Sequence, residues 1–451
     1  MSESLPVAPD NAMSALNSDA GATSSASKRQ LGFAVAVAIV VGESIGLGVL
    51  LTPAAMTKSL GSPLLLLLVW AGMGAMALCG ALCYAELSIR FPESGGDYVY
   101  LRKGFGDRIA FLYGWMSTIV MYPGVAAALA VGTGAYIEHI VAMPPGLRLL
   151  APALLILAFG AINIVGTRVS GALLSFLTVL KLAILFGLIV LGLFSGHAHL
   201  HNLLPFAARR PGSEALLPAI AGAAMAAFFS FGGWWEAGKI AGEVKNPSRT
   251  LPLAFLCGVS LVTAVYLLIT CVFLALLPIG STDSSPAFVA QFGQLLFGDS
   301  GARILSICVV LCVSGGMAAL MMAAPRVCFS MAQSGSFPAI FGKTNERWKT
   351  PANAILLQTG LALAVLLLGA FDRMLAYIIF SAVIFLALTV CVLFRLSPPV
   401  HAWWYPAAPI LFIVFSAVIA LLILAHDPVP ALIGVVLVLV GLPLQRFLAR
   451  M

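Results

Sequence analysis

Apolar residues in this chain gather into long runs separated by short polar stretches. Each run is close to the roughly 20 residues that a helix needs to cross a bilayer. Twelve such segments are predicted, at about 33–57, 62–89, 106–140, 149–166, 169–195, 215–244, 251–278, 302–332, 352–370, 374–395, 403–425 and 429–448. Residues 1–29 precede them; rich in Ser, Ala and Asn with little bulk, they read as a disordered tail. Lys28-Arg29 imitates the basic start of a signal peptide, but the apolar run after it is too long and lacks a small-residue cleavage site. It is read as the first transmembrane helix.

Two segments depart from the pattern. The first contains Gly42-Glu43-Ser44-Ile45-Gly46-Leu47-Gly48. The sixth contains Gly232-Gly233, then Trp234-Trp235-Glu236, with Lys239 and Glu243 further on. Paired glycines cost a helix on the order of 1 kcal/mol each. A charge at mid-membrane costs roughly 2.5–3.5 kcal/mol, so Glu236, Lys239 and Glu243, spaced for one α-helical face, must point into protein or water. That face reads as one wall of a path through the membrane, or as a Glu236–Lys239 pair that neutralises itself. The two breaks lie five segments apart, an odd offset that implies opposite orientations. Interrupted helices at matching places in two halves point to an inverted repeat with a site at the midplane.

The gap has defined chemistry. The second part of the first segment begins near Leu47, where free N–H groups and the positive end of the helix dipole would hold a carboxylate. The sixth segment's first part ends near Ser230–Gly232, and its open carbonyls, with those near Ile45, would receive an ammonium group. Such paired poles suit an α-amino acid. Lys181, alone in the middle of the fifth segment, needs a carbonyl cage or a carboxylate, unless it snorkels to an interface.

Composition agrees with a polytopic membrane protein: 451 residues, 61% hydrophobic and 9% charged. The formal charge of +7 belongs to loops rather than to a nucleic-acid surface. Starting from an inside N-terminus, 16 of the 24 Lys and Arg fall inside and 5 outside, while Lys58, Lys181 and Lys239 belong to helices or their ends. Both termini are therefore expected in the cytoplasm. The eight cysteines all lie in apolar runs, which argues against a disulfide framework or a Cys metal site. His197, His199 and His201 read as a solvated loop, since no acidic or Cys partner stands near. Tyr122-Pro123 predicts a kink, Glu86 and Arg90 a structural pair or gate, and Arg326 a cytoplasmic anchor; Glu93 and Asp97 read as loop acids without catalytic geometry. No phosphate loop, nucleotide fingerprint or Ser/His/Asp set is present.

Four stretches, GESIGLGVLLTP (42–53), GALCYAELSIRFPESGGDYVYL (80–101), FSFGGWW…GEVKNPSRTLP (229–252) and PRVCFSMAQSGSFP (325–338), resemble the amino acid–polyamine–organocation superfamily, and within it the L-type amino-acid transporter branch. The resemblance covers nearly everything after residue 30. It implies an all-α membrane protein with 12 transmembrane helices. A five-plus-five inverted repeat with broken helices 1 and 6 would occupy 30–200 and 201–398, and two further helices 399–451. By the same resemblance, Ile45, Gly46, Leu47 and Gly48 hold a substrate carboxylate and Phe229 closes over the substrate from outside. Ser230, Phe231, Gly232 and Gly233 form the unwound piece that receives the amino group. Lys181 stands where sodium-dependent relatives bind an ion, which implies independence from sodium.

Departures from the family bear on selectivity. Its usual Gly-Ser-Gly is Gly46-Leu47-Gly48 here, which removes a hydroxyl from the carboxylate site. Glu43 stands where relatives mostly carry a small polar residue. Trp235 replaces a residue that is polar in several relatives, suggesting a narrowed pocket. Glu236 and Lys239 are unusual in their helix, so Glu43, Glu236 and Lys239 join Phe229 and Lys181 as candidates for gating or coupling. The reading is a secondary transporter in the cytoplasmic membrane, sodium-independent, moving small or neutral amino acids by exchange or with protons. It needs no cofactor, metal or nucleic acid, and nothing indicates a protein partner. Rival readings are a carrier of cationic amino acids or polyamines, an amino-acid sensor that moves nothing, and a membrane enzyme using Glu43 or Glu236 as an acid. The last lacks any nucleophile–base set.

Overall fold

The computed structural model describes residues 29–46, 48–141, 144, 147–277, 292–369, 371–399, 403–426 and 428–448. The predicted tail, save Arg29, lies outside them, as does Leu47. The described chain is helical, with one isolated parallel bridge between Leu31 and Val244. In order the helices are α1 (Phe33–Ser44), α2 (Gly48–Leu60), α3 (Pro63–Arg90), α4 (Asp97–Phe105), α5 (Asp107–Met116), α6 (Tyr122–Ile140), α7 (Leu150–Val165) and α8 (Thr167–Phe194). Then come α9 (Leu216–Phe231), α10 (Pro247–Leu276), α11 (Gly301–Ala323), α12 (Pro325–Gln333), α13 (Ala352–Leu368), α14 (Phe371–Cys391), α15 (Ala407–His426) and α16 (Pro428–Leu448).

Among the described residues eight helices, some with the turns that continue them, are long and apolar enough to cross a membrane, and four shorter apolar ones accompany them. Their outward faces carry bare hydrocarbon. On α8, for instance, Phe176, Val179 and Phe186 are all exposed, which suits lipid and not water. The chain is thus a multi-pass membrane protein.

Local chemistry explains the ends and bends. Ser62 caps α3 by accepting from the Leu65 N–H, with Pro63 in the first turn, where a missing N–H costs nothing. Asn246 adopts a left-handed conformation (φ 47°) that a short amide side chain tolerates, and Pro247 starts α10 behind it. At the predicted kink, a π-helical turn at Ser117–Met121 joins α5 to α6, and Pro123 falls in the first turn of α6, where its missing N–H costs no bond within that helix.

The interior helices position the site. Helix α1 packs against α8, α10 and α11, while α2 packs along α9. Helix α10 lies along α3, and α11 along α6. Both broken segments are therefore enclosed by other helices, the only setting in which open main chain is tolerated at membrane depth.

Candidate functional site

The first break is a turn of main chain between two helices. Helix α1 ends at Ser44, Ile45 is extended (φ −82°, ψ 91°), and α2 begins at Gly48. The second break comes after α9, where Gly233 takes φ 98°, a left-handed value open to glycine, and a 3-10 helix runs from Trp234 to Glu243. The two breaks touch. A Cβ on Gly48 would lie 2.4 Å from Ser230 Oγ and 2.7 Å from Ser230 Cα. A Cβ on Gly233 would lie 2.4 Å from Glu43 Cγ. Thr52 Oγ1 and Ser230 Oγ are 3.1 Å apart across the same seam.

Between the breaks lies a cavity with about 820 Å³ of space free of atoms, its mouth included. Of the residues singled out in the sequence, Glu43, Gly46, Gly48, Phe229, Ser230, Gly232, Gly233, Trp235 and Glu236 line it. Ile45 and Phe231 do not. Ile45 is buried and contributes its carbonyl to Lys181. The Phe231 ring packs behind the wall against Tyr266 (4.9 Å between centroids) and Trp70 (6.0 Å). Sequence reading missed the rest of the lining. Met121 and the α6 residues Val125 and Leu129 form one side, and Leu320, Ile378, Ile379 and Ala382 come from α11 and α14. Apolar residues in apolar helices carry no mark of which side faces a cavity.

Two buried donors hold the breaks open. Lys181 Nζ donates to the carbonyls of Gly42 (2.7 Å) and Ile45 (2.6 Å), so its partner is a carbonyl cage. The Tyr266 hydroxyl, on α10, lies 2.5 Å from the Ser44 carbonyl and 2.7 Å from that of Ser230, donating between them. Of the carbonyls expected to await an ammonium group, those of Ile45 and Ser230 thus have a protein donor beside them, the second through a tyrosine that no sequence pattern marked.

The floor is a buried charge cluster. Glu236 forms an ion pair with Lys239 and accepts from the Tyr122 hydroxyl at 3.2 and 3.3 Å. Lys239 also lies 3.7 Å from Asp97. Asp97 in turn accepts from Tyr84, from Tyr113 at 3.2 Å and from Thr389 at 3.3 Å. Asp97 is therefore no loop acid: it opens α4 and is buried beneath the cavity. Nor do Glu236, Lys239 and Glu243 share one face. In a 3-10 helix three residues complete a turn, so positions 236 and 239 align while 243 points elsewhere. Glu243 turns to Arg326, accepting from Nε at 2.9 Å and from the guanidinium's second nitrogen at 3.2 Å. Arg326 is buried, not a surface anchor.

Glu86 and Arg90 pair at 2.6 Å within α3. His197, His199 and His201 are exposed, and among the described residues no group of three or more His, Cys, Asp or Glu is placed to hold a metal. Glu43, in the last turn of α1, and Gly48, the first residue of α2, both line the cavity. The arrangement offers a positive pole and a negative pole to a small bound molecule.

Comparison with known proteins agrees in its extent. The chain is 29% identical over 432 residues to the serine/threonine exchanger SteT of Bacillus subtilis (strain 168), covering 92% of this chain and 96% of that one. It is 28% identical to the human Asc-type amino acid transporter 1 over 92% of this chain and 82% of that protein. It is 29% identical to the human large neutral amino acids transporter small subunit 2 over 92% and 79%, respectively. The model of the amino acid permease family matches residues 31–441, and this chain belongs to that family.

Proposed function

We propose that the protein is a sodium-independent secondary transporter that moves small or neutral amino acids across the cytoplasmic membrane by alternating access. One observation carries the reading: two broken segments meet, and the cavity between them is lined by the first residue of α2 and by the Glu43 carboxylate. The bacterial and human relatives are exchangers or transporters of amino acids by name. In this reading the four shorter apolar helices join the eight long ones as membrane spans, α1 and α2 forming one broken span. Residues 30–200 and 201–398 form two inverted repeats, and both termini face the cytoplasm.

The fixed ammonium of Lys181, seated on the carbonyls of Gly42 and Ile45, takes the place of a coupling sodium. Lys239, beneath the cavity, is 0% exposed, while Phe229 in the cavity wall keeps 38% exposure, and we take the Lys239 end as the closed one. With the cytoplasm at the Lys239 end, this is an outward-facing state over which Phe229 closes.

Two carboxylates, Glu43 and Glu236, line the cavity. That observation favours a second reading, a carrier of cationic amino acids or polyamines. Counterflow of radiolabelled alanine, leucine, arginine and putrescine in liposomes, with and without sodium and a pH gradient, separates the two. Alanine or leucine exchange that ignores sodium supports the first reading, and exchange confined to arginine or putrescine replaces it with the second. Binding of an amino acid with no flux identifies a sensor.

A further inference from the structure

We propose that the Glu43 carboxylate receives the ammonium group of the substrate, beside the main-chain carbonyls of the two breaks. The proposal rests on the transport reading and names the partner of one half of the zwitterion.

Glu43 stands out among the acceptors. At the breaks the Gly42 and Ile45 carbonyls accept from Lys181, and the single Tyr266 hydroxyl proton lies between those of Ser44 and Ser230, so these four are at least partly engaged. The Phe229 carbonyl accepts the Gly232 N–H at 3.2 Å. Glu236 is committed to Lys239 and to the Tyr122 hydroxyl. Glu43 remains. Its Oε2 is buried and, among the described residues, has no hydrogen-bond partner, although the side chain forms part of the cavity wall. A buried carboxylate oxygen left without a donor is costly enough that a missing partner is the first explanation to test.

Position agrees with chemistry. Glu43 lies in the last turn of α1 and packs on the left-handed Gly233, so its carboxylate stands where the two breaks meet. Across the gap, α2 begins at Gly48 with unsatisfied N–H groups. A free α-amino acid places one charge at each of these poles. The substrate carboxylate then faces the dipole of α2 and its ammonium faces Glu43, while Glu236 and Asp97 share Lys239 and Lys181 keeps to its carbonyls. The ligand class is therefore any small molecule carrying an ammonium group beside a carboxylate, with no cation required in its side chain.

The test compares L-alanine with L-lactate, which carries a hydroxyl where alanine carries its ammonium. Both are used as competitors of alanine uptake in liposomes containing the wild type, Glu43→Gln or Glu43→Asp. The wild type is expected to favour alanine over lactate strongly. In Glu43→Gln that preference is expected to fall about tenfold or more, the loss of one charge-assisted hydrogen bond, and Glu43→Asp is expected to recover part of it. Because the readout is a ratio within each variant, a partly misfolded sample does not imitate it. An unchanged ratio in Glu43→Gln overturns the proposal. So does an unchanged ratio with loss of proton-driven accumulation, which makes Glu43 a proton carrier, and so does a defect seen for arginine but not alanine. If the wild type neither binds nor moves any of the four counterflow solutes, the transport reading fails as well.

Discussion

Trp235 belongs to two walls at once. It lines the central cavity and also a second, apolar space, about 240 Å³ free of atoms with its opening included, whose other sides include Met73, Met76, Leu386 and Phe412. Its ring stacks on Phe228 at 6.3 Å, and the two together divide the spaces. Trp235→Ala would join them. Competition of alanine uptake by leucine and phenylalanine is then expected to strengthen by about tenfold or more relative to alanine, the scale of added methylenes finding a pocket. An unchanged order of competitors would remove Trp235 as the size limit. A second expectation concerns Lys181. Lys181→Met strips the carbonyls of Gly42 and Ile45 of two charge-assisted bonds, each worth about 1.5–3 kcal/mol. Uptake should drop at least about tenfold while purified protein still elutes as a single species; normal uptake would show that the cage has no part in transport. Lys181 is legible in the sequence because a lone cation in an apolar helix demands a partner. Asp97 is not, because Lys239, Tyr84, Tyr113 and Thr389 come to it from four separate elements.

Among elements, the breaks themselves are written in one dimension. Runs of glycine beside charged residues in an apolar segment are visible without coordinates, and both fall where the helices part. The conformation of the chain beyond each break is not. Residues 234–243 have a sequence that an α-helix would accept, and only packing winds them as a 3-10 helix, which sends Glu243 away from Glu236. The same limit hides the π-turn before Tyr122 and the separation of α12 from α11 at Ala324. Gly233 tests the second break directly. Alanine there meets two obstacles, a left-handed φ of 98° that costs an L-residue roughly 1–2 kcal/mol and the Glu43 side chain 2.4 Å from its Cβ. Gly222, within α9, has open space where a Cβ would stand. Gly233→Ala should therefore abolish alanine uptake, whereas Gly222→Ala should leave it intact and raise thermal stability slightly. Equal behaviour of the two variants would mean that the left-handed turn is not part of the working site.

At the scale of the whole molecule, the 3-10 helix ties the closed end together. The Gln30 and Leu31 N–H groups donate to the Glu243 carbonyl at 2.9 and 3.0 Å, and the Lys245 N–H donates to Leu31 at 2.8 Å. The Gly95 N–H, just before α4, donates to the Lys239 carbonyl at 3.0 Å. Those main-chain bonds join the start of α1 and the approach to α4 to one segment, and the Glu243–Arg326 pair fastens that segment to α12. In the proposed alternating access, opening of the cavity at this end parts that pair. Glu243→Gln keeps the shape but removes the charge, leaving the Arg326 guanidinium buried opposite a neutral amide. Removing one partner of a fully buried pair costs about 3–5 kcal/mol; Glu243 keeps 20% of its side chain exposed, so the loss here is smaller, and an opened end would let water solvate the guanidinium instead. Since about 1.4 kcal/mol is a tenfold change in an equilibrium, even half of that cost would shift the closed and open populations by more than about tenfold. Hydrogen exchange in detergent is the suitable reading: amides of 234–243 and of α12 should exchange faster in Glu243→Gln than in the wild type, while those of α10 should not change. Exchange that stays at the wild-type rate in both segments would show that main-chain bonds alone hold the closed end, with the ion pair a passenger.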